Sequence, residues 1–507
     1  MNLNDTVKLL EHHKVMVGDF DPARDDLLKT ILRRIFLKRD DRKLSAAPDP
    51  ISDNRRGSLG LDLGLAPANL EAAEGARAKR MLKILVVSQY FWPEHFRIND
   101  LVIGLQERGH DVTVLAGTPN YPEGRYFVGY GLFRNARSNY HGAKVWRVPI
   151  IPRRRGTKLQ LVANYLSFAL SASLLGPILC REKYDVIFTF QLSPVTVGIP
   201  AIVLRWLKQA PMILWVQDLW PDSLTATGAI KSSILIHLVG SCVRTIYKRS
   251  NLILIQSQAF FQSVQAYGAD PTRIQYFPNT AEAFYRPVAI GCDAPERGEM
   301  PAGFCIMFAG NIGIAQDFGT ILRAAERLRD YPDIKWVVAG DGSQRGWVEE
   351  QIKKLGLQER VYLIGRHAPD EMPRYFALAD ALLVTLKRDP IFEVTIPSKV
   401  QSYLACGRPV LAALDGEGAR ILQEAKAGFT VPAEAFDALA DAVLQLYRLS
   451  AEGRAQLGMN ARSYFLQHFE RENLLSSLID WMCELSDLKT SIASDVTAST
   501  AVDVRRR

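Results

Sequence analysis

One pattern limits what this chain can fold into. Short, nearly unbroken runs of aliphatic and β-branched residues alternate with glycine-containing or polar loops and segments of helical periodicity, and the series occurs twice. The first opens with MLKILVVSQY at Met81, passes through a helical stretch from Arg97 to Gly109, and continues with HDVTVLAG. Further strand candidates follow at Lys144 to Val148, Asp185 to Phe190, Met212 to Val216 and Asn251 to Gln256. The second series begins after Asn279-Thr280-Ala281, with strands at Phe304 to Ala309, Ile334 to Ala339, Val361 to Ile364, Ala381 to Thr385 and Pro409 to Leu414. Unbroken apolar strands are those covered on both faces, and strands that alternate with helices pair in parallel. The expected fold class is therefore α/β: two doubly wound, Rossmann-like domains facing a central cleft onto which both sheets turn their carboxyl ends. A length of 507 residues also exceeds what one core serves. The expected domains are 81–285 and 286–465, with a partly disordered extension over 1–80 and a disordered tail over 489–507, where apolar periodicity is missing.

Composition narrows the partners. Lys and Arg number 62 against 54 Asp and Glu, a formal charge of +8 that is dispersed except at Arg153-Arg154-Arg155 and Arg505-Arg506-Arg507. Anionic lipid or phosphorylated ligands fit this better than a nucleic-acid duplex, so no nucleic acid is expected. The six cysteines lie far apart without metal-like spacing and read as reduced, buried thiols. The opening residues are polar and of mixed charge, unlike a secretory signal, so a cytoplasmic location is expected. Leu159 to Cys180 is the one long uncharged stretch, near the length of a bilayer span, but Asn164, Ser167, Ser171, Ser173 and Pro177 interrupt it. A buried or membrane-surface helix and a true span both remain open for it.

Candidate chemistry falls in the loops after the strands. In FAG-NIGIAQDFGTILRAAERL, Gly310 and Gly313 flank a tight turn whose amides, with the next helix, can point at a pyrophosphate; a plain turn satisfies them equally. Gly340-Asp341-Gly342-Ser343 repeats the arrangement one strand on. In IFEVTIPSKVQSYLACGRP, Pro397 suits a first helical turn and brings Ser398 and Lys399 to a helix amino terminus, where a lysine opposes the dipole unless an anion is present. Glu393, just upstream, is a candidate for sugar hydroxyls. In the first domain, MILWVQDLWPDS sets Gln217, Asp218, Trp220 and Asp222 after an apolar strand. Carboxylates beside indoles suit a saccharide, and helix capping by Asp222 is the competing explanation. Glu123 and Arg125 in NYPEGRYFVGY are further cleft candidates. No GxGxxG follows Lys83 to Val87, and no Walker loop, GxSxG or HExxH is present, which excludes the commonest dinucleotide, phosphate-loop, hydrolase and zinc-protease chemistries. Asp19-Phe20-Asp21 is the one DxD, and it lies in the polar extension rather than after a strand, so neither metal nor cofactor is expected.

Together, KILVVSQYFWPEHFRINDLVIGLQERGHDVTVLAGTPNYPEG, ILWVQDLWPDS, FAGNIGIAQDFGTIL, VVAGDGS, TIPSKVQSYLACGRPVLAA and DGEGARILQEAKAGFTVP resemble the retaining glycosyltransferases of family 4, in particular the subgroup of colanic acid and O-antigen (lipopolysaccharide) assembly that includes L-fucosamine transferases. The resemblance covers about Met81 to Leu485. It implies a GT-B fold, with the acceptor on the first domain, the donor nucleotide on the second and a last helix, expected at 466–488, crossing back to the first. It also implies that Gly310, Asn311 and Gly313 lie at the donor phosphates, that Gly340 and Asp341 line the nucleotide pocket, and that Gly365, Arg366 and His367 approach the base. Lys399 would reach the diphosphate, and Glu417 and Gly418 would close around the donor. The chain departs from the family pattern at Asn311 and Gln316, where an arginine and a lysine are common, and at Val394 and Ser402, where paired glutamates fall. Pro93-Glu94-His95 replaces a glycine pair, and Gln217-Asp218 a His-Asp pair.

These observations lead to an expected hexosyltransferase without metal dependence, in which Asp218, Glu393 and Lys399 carry catalysis. Its donor would be a nucleotide-sugar, UDP-linked, and its acceptor a lipid-linked saccharide in bacterial exopolysaccharide or O-antigen synthesis. Glu123, Gln217, Asp218, Trp220 and Asp222 would face the acceptor, with the enzyme held peripherally on the inner leaflet by Pro152 to Lys158 and the apolar helix. The same plan also suits a non-hydrolysing nucleotide-sugar 2-epimerase or a non-catalytic assembly subunit.

Overall fold

The structure is a computed structural model that describes residues 80–154, 157–226 and 232–504, with side chains as far as Lys489. The expected extension with its Asp19-Phe20-Asp21, Arg155, and Arg505-Arg506-Arg507 lie outside the described residues. The strands are β1 (Lys83–Ser88), β2 (Asp111–Gly117), β3 (Arg137–Tyr140), β4 (Ala143–Val148), β5 (Val186–Gln191), β6 (Met212–Val216), β7 (Leu252–Ile255) and β8 (Ile274–Tyr276) in the first half. The second half holds β9 (Phe304–Ala309), β10 (Ile334–Ala339), β11 (Val361–Gly365), β12 (Ala381–Thr385), β13 (Val410–Ala413) and β14 (Gly428–Val431). They form two separate sheets, ordered β3-β4-β2-β1-β5-β6-β7-β8 and β11-β10-β9-β12-β13-β14. All pairings are parallel except the β3–β4 hairpin at the edge of the first sheet. This is the two-sheet GT-B arrangement that the resemblance implies.

Why both sheets are covered on two faces follows from their period-two side chains. On β1, Leu85 and Val87 point into one core while Ile84 and Val86 point into another. On β9, Phe304, Ile306 and Phe308 divide in the same way from Cys305, Met307 and Ala309. Each sheet reverses its strand order once, between β1 and β5 and between β9 and β12, and a crevice opens at the carboxyl ends of such a reversal.

The apolar stretch read as a possible span is the crossover helix Lys158–Leu179 between β4 and β5. Thr157 caps it through a full capping box with Gln160, and Phe168, Ala172 and Gly176 bury it against the first sheet. The closing helix begins at Arg471, after helix Ala451–His468 ends at Phe469, and runs on to Val504. Its start therefore lies later than the expected 466, and the tail expected to be disordered from 489 is helical as far as Val504, since no proline or glycine interrupts it there. The helix does cross back: Leu475, Leu478 and Met482 join Ile98, Leu101 and Val102 in one core, and Arg471 pairs with Asp100 at 2.9 Å and Glu107 at 3.2 Å. None of the six cysteines forms a disulfide; Cys180, Cys305 and Cys406 are buried as expected, Cys242 and Cys483 only partly, and Cys292 lies exposed in the linker between the halves, because that polar segment belongs to neither core.

Candidate active site

At the β9/β12 reversal the two strands stop pairing after Leu383 and Phe308. A tyrosine hydroxyl takes the next rung. The Ala309 N–H donates to Tyr403 Oη at 3.0 Å, and that hydroxyl lies 3.3 Å from the Leu383 carbonyl. Beyond this point the strands part, and a cavity of about 730 Å³ opens. Its wall contains Gly310, Asn311, Gln316, Gly340 and Asp341 from the loops after β9 and β10, and Arg366 and His367 from the loop after β11. Pro397, Ser398 and Lys399, at the start of helix Ser398–Ala405, line it from the other side. Pro397 stands at the N-cap rather than inside the first turn, and no side chain caps that end, so its free amides lie at the cavity wall.

Two glycines let the backbones close on one another here. A Cβ on Gly310 (φ 133°) would sit 2.6 Å from Lys399 Cε, and one on Gly340 (φ 154°) 1.9 Å from the Gly310 carbonyl oxygen. The Lys399 ammonium lies 3.9 Å from the centre of the Phe308 ring and, among the described residues, makes no hydrogen bond or ion pair. Burial lowers its pKa to about 7. Arg366 is exposed and likewise carries no ion pair among the described residues. Among the described residues, Asp341 is the one carboxylate lining the cavity, against Arg366 and Lys399, so its wall is net basic and suits an anion. The Gln316 amide oxygen is buried there without a partner.

A smaller cavity of about 290 Å³ lies between the halves, lined by Asp218, Asp222 and Ser223 of the first and by Pro390, Ile391, Val394 and Thr395 of the second. Thr395 lines both cavities. Burial raises the pKa of Asp218, and its carboxylate accepts the Trp220 indole N–H at 3.3 Å. Asp222 begins helix Asp222–Ala226 and accepts the Tyr267 hydroxyl at 3.2 Å.

Seven of the expected donor residues thus meet in one cavity: Gly310, Asn311, Gly340, Asp341, Arg366, Ser398 and Lys399. Four do not line it. Gly313 is covered by the side chains of Asn311 and Gln316, and Gly365 ends β11 with its carbonyl taken by the Gly340 N–H at 2.6 Å. Glu417 is buried, paired with Arg420 at 2.8 Å, and accepts the Gln258 N–H of the first half at 3.1 Å, so it ties the halves together; Gly418 packs beside Leu414 and Pro397. Glu393 lines neither cavity: on helix Pro390–Val394 the turn brings Ile391 and Val394 to the smaller cavity and Phe392 to the larger, leaving the Glu393 carboxylate exposed. On the acceptor side, Gln217 is engaged by Asn279 at 2.9 Å and Trp220 is buried in the core. Glu123 and Arg125 are exposed 4.0 Å from each other, outside both cavities.

One buried group escaped the sequence reading. Glu94 accepts the backbone N–H groups of Asn120 (2.8 Å), Tyr121 (2.7 Å) and Phe91 (3.3 Å) at the carboxyl end of the first sheet, and burial pushes its pKa up to about 7. Beside it, the Arg153 guanidinium lies between the rings of Tyr90, Tyr121 and Tyr165 and bonds the hydroxyls of Tyr90 and Tyr165. Its signal in the sequence is a carboxylate at the place where the family pattern has a glycine pair.

Comparison with known proteins agrees with this fold. Residues 298–464 match the family model described as glycosyl transferases group 1, and residues 95–280 match a glycosyl transferase 4-like domain. A protein described as a colanic acid biosynthesis glycosyl transferase, WcaI of Escherichia coli (strain K12), is 25% identical over 79% of this chain and 99% of its own length. A D-inositol 3-phosphate glycosyltransferase of Mycobacterium tuberculosis (strain F11) is 26% identical over 43% of this chain and 45% of that protein. Among solved structures, Anabaena HepE in complex with UDP superposes with a TM-score of 0.56 at 15% identity, covering 80% of this chain and 100% of that one. Sucrose-phosphate synthase from Thermosynechococcus elongatus reaches 0.59 at 16% identity, covering 80% and 99%.

Proposed function

The chain belongs to the group 1, family 4 glycosyltransferases, and from that premise we propose that it moves a hexose-type sugar from a UDP-linked donor to a lipid-linked saccharide at the cytoplasmic face of a bacterial membrane, in exopolysaccharide or O-antigen assembly, with retention at the anomeric carbon. The observation that carries the donor assignment is the net basic cavity at the β9/β12 reversal, where an uncapped helix end, two glycine loops and the unpaired ammonium of Lys399 converge. A diphosphate supplies the charge that this arrangement lacks. Lys399, charged once an anion is beside it, offsets the charge that builds on the departing diphosphate, and the loop amides hold the phosphates in line. The shared wall at Thr395 supports an acceptor that approaches through the smaller cavity, with its hydroxyl near Asp218. The UDP assignment draws support from HepE, which is known in complex with UDP.

The test is a mass-spectrometric screen of UDP- and GDP-sugars with a short lipid-diphosphate saccharide. The expected product is an acceptor one sugar longer, together with free UDP. Conversion of a UDP-sugar without any acceptor would make the protein an isomerase instead, and a folded protein that binds no nucleoside diphosphate would end the donor assignment.

A further inference from the structure

Between Glu123 and Glu182 the chain carries no acidic residue, while Lys and Arg recur from Arg125 to Lys158. Two exposed apolar elements lie inside this segment. The first is the outward face of helix Lys158–Leu179, where Leu159, Val162, Leu166, Leu170, Leu174 and Ile178 are between 43% and 79% exposed. At 100° per residue they fall opposite the face that Asn164, Phe168, Ala172 and Gly176 bury, and Lys158 is the helix's single charged residue. The second is the loop after β2, which exposes Val128, Leu132 and Phe133 between the exposed Arg125 and Arg134. The two are joined: the Arg154 N–H donates to the Gly124 carbonyl at 2.6 Å, and the Tyr126 hydroxyl to the Ile150 carbonyl at 2.6 Å, just ahead of the helix.

We infer that this loop and this helix face form a docking surface for an anionic membrane leaflet, on which the helix lies flat. Its inner face is fixed to the first sheet, so the helix cannot cross a bilayer while that half is folded. At 1.5 Å per residue it offers an apolar stripe roughly 30 Å long. Leu132 and Phe133 enter the acyl boundary beside the stripe, and the flanking Arg125, Arg134, Arg154 and Lys158 meet the headgroups. Charge of one sign beside exposed aliphatics selects an anionic lipid surface over a protein partner, whose interface would have to set an acid against each of these four cations.

The surface is tested with the full chain and vesicles that contain neither donor nor acceptor, so the result is independent of the proposed reaction. Flotation with phosphatidylcholine vesicles is compared with flotation on vesicles that also contain phosphatidylglycerol. Binding to the anionic vesicles is expected to exceed binding to the neutral ones by about tenfold or more and to fall with salt. Leu132→Ser with Phe133→Ser, and separately Leu166→Gln with Leu170→Gln, should each abolish most of that binding at an unchanged melting temperature. Equal binding to both vesicle types, or substituted proteins that bind as the parent does, would overturn the inference. So would a parent protein that ignores vesicles but self-associates through these residues, which would make a second copy the occupant.

Discussion

At the scale of single residues, the proposed donor site turns on the Lys399 ammonium, which has no counter-ion among the described residues. Burial brings Lys399 to about 7, so below that pH it is charged before a diphosphate arrives, and above it binding must take up a proton. Affinity for UDP should therefore fall as pH climbs from 7 toward the ordinary lysine range. Replacing Lys399 with Met should weaken UDP by about 10- to 100-fold near neutral pH, as expected for a charged hydrogen bond, and should flatten that slope. Titration calorimetry across the range checks both, and parallel slopes in the two proteins would remove Lys399 from the phosphates. The pKa of Glu94 is shifted in the opposite direction. Its folded pKa, near 7, lies above the unfolded value, so its contribution to stability is complete below about pH 4.5 and is lost as pH rises through 7. In Glu94→Gln the melting temperature should decline less between pH 5 and 8 than in the parent. Lys399 was legible in the sequence because a lysine at a helix start conflicts with the dipole. Glu94 was not, since its burial and its bonds to Asn120 and Tyr121 arise from segments that only the fold brings together. Glu393 was misplaced by one step of helical rotation, which a strand-to-loop reading does not resolve.

At the scale of elements, eleven apolar strands were legible because burial, on both faces for most of them, writes itself as continuous hydrophobic sequence. β3, β8 and β14 were not: they are edge strands of three or four residues that are only partly buried, and β3 is the polar strand RSNY, indistinguishable from loop by composition. What shapes the crevice is also silent in the pattern. Tyr403 reads as one more apolar residue of a helix, yet its hydroxyl stands where the β9–β12 ladder has ended. Tyr403→Phe would leave the buried Ala309 N–H without an acceptor. The expected loss is about 1–3 kcal/mol in urea unfolding, together with a KM for the donor that rises more than kcat falls, because the Gly310 loop starts at that residue. A KM equal to the parent's would reduce the hydroxyl to a purely structural part.

At the scale of the whole molecule, the halves are tied by the linker after β8, by the Gln258–Glu417 bond and by the closing helix, which carries the chain back over the first sheet. Leu478, fully buried there, should cost about 2–5 kcal/mol on replacement by Ala, measured by urea unfolding. A smaller loss would mean that the helix rests on the first half without completing it. Ile98, Leu101 and Val102 thus wait for partners that lie some two hundred positions further along the chain than β8. A ribosome adding roughly 5–20 residues per second needs on the order of 10–40 s to supply them. For that interval the nascent first half stands open along one flank, so the part that is made earliest is among the last to be sealed.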